Sequence, residues 1–194
     1  MHKFETVGVI SKTVLAPFVQ PKDRWQDWLH HPFYYGLYYD IGKKMQPRGI
    51  AEIGVRFGYS ALSMILGSGC DPDFVGFDGE FYETSNDIAT ASIGSATKGS
   101  CIISKVDTNK VDSLQVPEGF MADIIHVDGD HEVPGLLHDL SLVLPLANER
   151  SIIIVDDTSH FPLLAQPTDD FAESNGWKVD TYDSLRGTKV LYRD

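Results

Sequence analysis

Ile50-Ala-Glu-Ile-Gly-Val-Arg-Phe-Gly-Tyr-Ser-Ala-Leu-Ser-Met-Ile-Leu66 decides how the rest of the chain is read. Ile50 to Ile53 is apolar enough for a short buried strand, and Gly54 to Gly58 forms a glycine loop. Good helix formers with apolar residues at helical spacing follow from Ser60, a side chain suited to an N-cap. Gly54 and Gly58 let the backbone turn sharply and admit a ligand close to the main chain. A strand-loop-helix of this kind offers its ligand site at the carboxyl end of the strand, against the helix N-terminus. The glycines are spaced G-x-x-x-G rather than G-x-G-x-x-G, and Glu52 stands just before them. A carboxylate there repels a pyrophosphate and suits a cationic or amino-bearing ligand.

Outward from this stretch, short apolar runs recur, and several end in an acid. Phe74 to Phe77 leads into Asp78, twenty residues beyond Gly58. An acid at the end of the second strand of a doubly wound sheet can accept ribose hydroxyls. Cys101 to Val106 predicts a third strand, followed by Asp107-Thr108-Asn109, and Val111 to Leu114 predicts a helical turn. Ala122 to Val127 runs into Asp128-Gly-Asp-His131, and the run from Ser151 to Val155 ends in Asp156-Asp157. Leu136, Leu137, Leu140, Val143 and Leu144 between them mark a helix. Trp177 to Tyr182 and Thr188 to Tyr192, joined across Gly187, predict a closing hairpin. The fold class expected is therefore α/β: a Rossmann-like doubly wound sheet with a C-terminal antiparallel hairpin and helices on both faces.

In such a sheet the strand ends converge on one crevice. Asp128, Asp156 and Asp157 would then crowd together and raise one another's pKa unless a cation lies among them. Three hard carboxylate donors suit Mg²⁺ or another divalent cation, with water and substrate oxygens completing its shell.

Before residue 48 the pattern changes. Pro17 and Pro21 break any long helix, Val7 to Ile10 and Thr13 to Leu15 suit short extended pieces, and Asp23 to Met45 predicts a helix broken near His31-Pro32. This stretch carries Trp25, Trp28, Phe33, Tyr34, Tyr35, Tyr38 and Tyr39, suited to a lid, a pocket wall, core packing or a homo-oligomer contact. His30 and His31 have no spaced partner ligand. Two units are expected: an aromatic-rich helical segment, 1–47, and a ligand-binding domain, 48–194.

The chain's 194 residues suffice for a full core, and its net charge of −12 argues against nucleic acid or an anionic membrane as partner. No apolar run approaches a spanning helix or resembles a signal peptide, so a cytoplasmic setting is expected. Cys70 and Cys101 give neither zinc spacing nor a disulfide framework.

The pattern E-I-G-x-x-x-G-Y-S, followed by these strand-end acids in this order, resembles the class I S-adenosylmethionine (SAM)-dependent methyltransferases. It is most similar to their metal-dependent, catechol O-methyltransferase-like branch, and the Asp-Gly-Asp-His and Val-Asp-Asp segments resemble small bacterial O-methyltransferases of sugars and natural products. The resemblance covers about residues 48–194. It implies that Glu52, Gly54, Arg56, Gly58 and Ser60 hold the methionine moiety, Asp78 the ribose, and Asp107 with Thr108 the adenine. It implies that Asp128 touches both SAM and metal, that Asp156 and Asp157 complete the metal set, and that His131 removes the acceptor's hydroxyl proton. Asp130 could orient His131 or join the metal, and His160 could line the acceptor side. The activity implied is methyl transfer to a hydroxyl of a small molecule, whether catechol-like, sugar or natural product. The chain departs from the pattern at Ala147-Asn-Glu-Arg150, where a Pro-Gly-Gly-type turn is usual, at Arg56, where an aromatic residue is common, and after the third strand, which lacks a trailing glycine. Two alternatives remain: a nucleotide-dependent oxidoreductase, disfavoured by Glu52 and the glycine spacing, and a SAM-binding protein without catalysis, disfavoured by the intact acid and histidine set.

Overall fold

A computed structural model describes Phe4 and residues 32–79, 85–184 and 186–194, with side chains in the first of these ranges from residue 35 onward. The expectations for Val7 to Ile10, Thr13 to Leu15, Pro17, Pro21, Trp25, Trp28, His30 and His31 lie outside the described residues, as do those for the Phe33 and Tyr34 side chains. Five helices and seven strands organise the described chain. They are α1 (Pro32–Met45), β1 (Gly49–Ile53), α2 (Tyr59–Ser68), β2 (Asp73–Asp78), α3 (Ser85–Ala96), β3 (Cys101–Lys105), β4 (Ala122–Val127), α4 (Val133–Val143), β5 (Ala147–Val155), α5 (Ala165–Ser174), β6 (Lys178–Tyr182) and β7 (Thr188–Tyr192). The strands form one sheet in the order β3-β2-β1-β4-β5-β7-β6. β1 to β5 pair in parallel, and β7 runs antiparallel to β5 and β6. This is the Rossmann-like sheet with a closing hairpin that the strand pattern predicted.

The two faces of the sheet separate by residue parity, because successive side chains of a strand point to opposite sides. Ile50, Phe74, Ile124, Ile152 and Ile154 pack with Leu37, Tyr38 and Ile41 of α1, Met64 and Ile65 of α2, and Ala89 and Ile93 of α3. Ala51, Ile53, Val75, Ile125, Val127, Ile153 and Val155 pack with Leu136, Leu140 and Val143 of α4 and Ala172 of α5. Strands covered on both faces read as continuous apolar runs, which is why Ser151 to Val155 carries no alternation.

α1 sits hard against α2 because glycine faces backbone in both directions. A Cβ on Gly42 would lie 1.9 Å from the Met64 carbonyl oxygen, and one on Gly67 would lie 2.0 Å from that of Tyr39. The aromatic density of this segment is thus partly core: Tyr38 is fully buried and Tyr35 meets Tyr59 edge-on. Three local expectations are corrected. Ser60 is not the N-cap of α2; Gly58 is, in left-handed conformation, and Ser60 turns inward. The helical turn after β3 falls at Thr108–Lys110 rather than Val111 to Leu114. β5 begins at Ala147, four residues before its apolar run, with a register shift against β4 between Ala122 and Ile124.

At the opposite end of the sheet from the acid cluster, Arg48 and Asp123 tie β1 to β4. The buried Asp123 carboxylate accepts the Arg48 backbone N–H at 2.8 Å, its guanidinium twice at 3.1 Å, and the Asn148 amide at 2.9 Å. Burial alone would raise this carboxyl, but the Arg48 and Asn148 donors outweigh it and hold its pKa at about 2.

Two predictions follow from this packing. Gly42→Ala should lower stability by about 1–3 kcal/mol through overpacking, read as a drop in the urea midpoint with an unchanged slope. An unfolded Asp titrates near pH ~4, so the Asp123 contribution is complete above that pH and lost as pH falls toward 2. Asp123→Asn should therefore cost about 1–3 kcal/mol at pH 7, and its difference from wild type should shrink steadily in unfolding series between pH 5 and 2.

Candidate active site

The carboxyl ends of β1 to β4 open onto a cavity of about 840 Å³, within the range of small-molecule sites. Its wall includes Ile53, Gly54 and Arg56 at and after the end of β1, Asp78 and Gly79 at and after the end of β2, Asp107 to Asn109 after β3, and Asp128 to Glu132 after β4. Phe161 and Arg186 complete it from the hairpin side.

The glycine loop is pinned at both edges. Gly54 N–H donates to the Phe77 carbonyl at 2.8 Å, and the Arg56 N–H donates to Asp78 Oδ2 at 2.6 Å. Gly54 has φ 85°, and a Cβ on it would stand 1.9 Å from the Asp128 carbonyl oxygen, so no other residue fits there. Arg56 itself adopts φ 48°, an uncommon conformation for a residue with a Cβ. The first wall therefore presents backbone and the Asp78 carboxylate together.

Glu52 lies behind that wall. It is fully buried, its Oε1 accepts from Ser60 Oγ, and the same oxygen stands 2.7 Å from His126 Nδ1. Its Oε2 has no hydrogen-bond partner among the described residues. Burial drives this carboxyl above the ordinary range, with the His126 and Ser60 bonds opposing.

After β3, Asp107 pairs with Lys110 of its own turn, which lowers its pKa, and Thr108 is buried beside it. Asn109 donates to Asp130 Oδ2 at 2.9 Å, and the Glu132 N–H donates to Asp130 Oδ1 at 2.9 Å. Asp130 thus braces the β3 and β4 loops against each other.

The acids of β4 and β5 are neighbours because Val127 pairs with Val155 in parallel register, so Asp128 and Asp156 leave the ladder side by side. Asp128 stands in two clusters of donor atoms lying within 4.8 Å of one another, one with His126 and Asp156, the other with His131 and Asp157. His126 makes a poor ligand, since Tyr38 and Glu52 already occupy both its ring nitrogens. Asp156 is buried, accepts from Thr188 Oγ1 at 3.2 Å, and has its pKa pushed to about 7 by burial and then by Asp157. Asp157 takes a left-handed φ of 61°, pairs with Arg186, and keeps Oδ1 without a partner among the described residues.

His131 Nε2 lies 3.0 Å from Asp157 Oδ2 and 3.4 Å from Asp128 Oδ1, ion-pair distances rather than aligned hydrogen bonds. These two carboxylates raise its pKa to about 9 against the opposing effect of burial. Its ring packs on Phe161 at 4.4 Å between centroids, while His160 is exposed and meets Phe161 edge-on from outside the cavity.

Of the residues singled out in the sequence, Gly54, Arg56, Asp78, Asp107, Thr108, Asp128 and His131 line the cavity, as does Asp130. Glu52, Gly58, Ser60, Asp156 and Asp157 stand behind its surface rather than on it. Arg186, Phe161, Asn109 and His126 were not singled out as site residues, and Tyr38 was named only among the aromatics of its segment. Parity and strand register could have found His126 opposite Glu52, whereas nothing local to the hairpin loop marks Arg186 as a partner of Asp157.

Residues 51–158, more than half of the chain, match the model of a family described as a methyltransferase domain. No curated protein matches the chain in sequence at a significant level. Among solved structures it is similar to an SAH-bound methyltransferase of Podospora anserina at 15% identity, TM-score 0.66, covering 96% of this chain and 89% of that one. It is similar to the O-methyltransferase TomG of Streptomyces achromogenes, involved in tomaymycin synthesis and solved with SAM, at 18% identity, TM-score 0.62 and coverages of 96% and 92%. A third, an O-methyltransferase of Bacillus cereus solved with SAH, stands at 16% identity, TM-score 0.62 and coverages of 94% and 96%. At these identities the solved structures speak for the fold. The family match speaks for more: it opens in β1 and closes just past the Asp156–Asp157 pair, spanning Glu52, Asp78, Asp128 and both β5 acids, and the chain belongs to the methyltransferase domain family.

Proposed function

We propose that the chain is a SAM-dependent O-methyltransferase that methylates a hydroxyl of a small molecule with the help of a divalent cation. The observation that carries this is one cavity lined by both Asp78 and Asp128, with Asp128 clustered with His126 and Asp156 and, separately, with His131 and Asp157. The groups present fit both the donor and the cation. Glu52 Oε2 is a buried acceptor awaiting a donor, suited to an ammonium, and Asp78 is an acceptor suited to ribose hydroxyls. Asp107 and Thr108 line the cavity after β3, and their polar side chains suit an adenine edge. Asp128, Asp156 and Asp157 are hard oxygen donors, and the unpartnered Asp157 Oδ1 with the raised Asp156 marks a charge cluster that a cation would relieve.

Bound here, SAM would supply an electrophilic methyl group on sulfur, and a divalent cation held by these acids would lower the pKa of an acceptor hydroxyl. What the protein's own residues contribute is position. The glycine loop fixes the donor end through backbone, the β4 and β5 acids fix the acceptor end, and displacement needs the two held in line. His131 is the proton-accepting group of the wall, and Nε2 is its reacting atom. Asp128 and Asp157 raise its pKa to about 9, so its service as a base depends on how those carboxylates are engaged. Phe161 beside it gives the acceptor an aromatic wall, which suits a ring-bearing hydroxyl such as a catechol. Among the described residues no helix is long and apolar enough to cross a membrane.

Calorimetric titration with SAM and SAH, in Mg²⁺ and again in EDTA, tests this directly. Saturable binding of both, with catechol or sugar acceptors binding only in Mg²⁺, is the expected outcome. Silence toward both nucleosides alongside binding of a nicotinamide dinucleotide would replace it with the oxidoreductase alternative. A second prediction separates the cation from the donor. Asp156→Ala should leave SAH affinity within about threefold of wild type while lowering turnover by a factor of about a thousand or more. Because that substitution removes a buried like-charge neighbour, the variant's melting temperature in EDTA should equal or exceed wild type. Undiminished turnover would end the metal-assisted mechanism.

A further inference from the structure

Glu52 and His126 face each other across the β1–β4 ladder as register partners, both on the sheet face that α1 covers. Each is fully buried. Tyr38 Oη, on α1, stands 3.1 Å from His126 Nε2, and the two rings meet edge-on at 5.0 Å between centroids. Three elements, held by the close α1–α2 approach at Gly42 and Gly67 and by the central ladder, thus converge on one carboxylate.

The donors and acceptors order themselves along this line. A tyrosine hydroxyl donating to Nε2 leaves the imidazole proton on Nδ1, from which it donates to Glu52 Oε1. Ser60 Oγ–H donates to the same oxygen. Oε1 is therefore satisfied twice, while Oε2 has no donor among the described residues. A buried carboxylate oxygen without a donor is costly, so such an arrangement persists where a donor from outside completes it. Ile53, which ends β1, and Gly54 just after it line the cavity.

We propose that Tyr38 and His126 are positioning residues: they fix the rotamer of Glu52 so that Oε2 receives the amino group of the donor's amino-acid tail. This rests on the SAM reading above and deepens it, since it gives the site a means to prefer a nucleoside carrying an α-amino acid over one that lacks it. Neither residue touches the ligand. Their effect reaches it through one carboxylate, and so it is confined to the ligand's tail.

SAH and 5′-methylthioadenosine share the adenosine and the thioether, and only SAH carries the amino acid. Titrating the full chain with each is therefore the test. Wild type should bind SAH at least about tenfold more tightly than methylthioadenosine. His126→Leu should weaken SAH by about tenfold while moving methylthioadenosine by less than about threefold. His126→Asn, whose side-chain N–H can replace Nδ1–H toward Glu52, should recover most of the preference. Tyr38→Phe should lose about threefold on SAH alone. A parallel loss for both ligands would mean a structural role only, and an unchanged SAH preference in Tyr38→Phe and His126→Leu would mean none; either overturns the proposal. Should His126→Leu fail to fold, Tyr38→Phe decides by the same ratio. Wild type binding neither ligand would instead overturn the SAM reading itself, a result distinct from wild type binding SAH with variants that keep its preference.

Discussion

Everything in this site follows from carboxylates being forced together. Parallel pairing of β4 with β5 in the register Val127 to Val155 releases Asp128 and Asp156 at the same height, and Asp157 follows at once. Nothing in a sheet's hydrogen bonding relieves that crowding. The protein meets it with cations from the loops: Arg186 reaches Asp157 from the hairpin, and His131 stands between Asp157 and Asp128. Asp156 accepts from the Thr188 hydroxyl, but burial and then the neighbouring Asp157 charge still push its pKa up to about 7. An acid cluster kept half compensated is a poor device for stability. It fits the dication proposed above, because the free energy of relieving the repulsion would then appear as affinity.

The same constraint accounts for the shape of the loop after β5. Asp157 takes a left-handed backbone, and the Thr158, Ser159 and His160 amides are tied to the carbonyls of Gly187 and Arg186. Backbone strain at Asp157 is held in place by the hairpin, which also supplies the guanidinium. The antiparallel β6–β7 pair is thus part of the site: it locks the direction of the second β5 acid. On the far side of the cavity the glycine loop plays the matching part, since the contact of Gly54 with the Asp128 carbonyl fixes the distance between the two walls.

Most of the sheet was legible because buried parallel strands leave an unbroken apolar signature, and because several runs ended in an acid that marked the carboxyl end. Phe74 to Asp78 and Ser151 to Asp157 needed nothing but composition and order. Ser60 misled for a physical reason: a serine near a helix start is ordinarily a cap, but here Gly58 takes the left-handed cap position and frees the hydroxyl for Glu52. The start of β5 was also hidden, since Ala147 to Arg150 is too polar to signal a strand and is held by Asn148 and Ser151 side-chain bonds instead. Arg186 was illegible, because its role depends on a hairpin folding back onto a loop some thirty residues earlier in sequence.

The least legible element proved to be the most connected. Aromatic density before residue 48 suits a lid, a wall or packing, and sequence cannot choose among them, since all three ask for large flat side chains. The choice is made by glycine. Gly42 and Gly67 let α1 approach α2 until backbone meets backbone. That depth brings the Tyr38 hydroxyl within reach of a histidine on the central ladder. A bulkier residue at either glycine would hold α1 outward and break the line of hydrogen bonds at its first link. Helix packing on one face of the sheet and the direction of one carboxylate near the cavity are in this way a single property, set by the absence of two side chains.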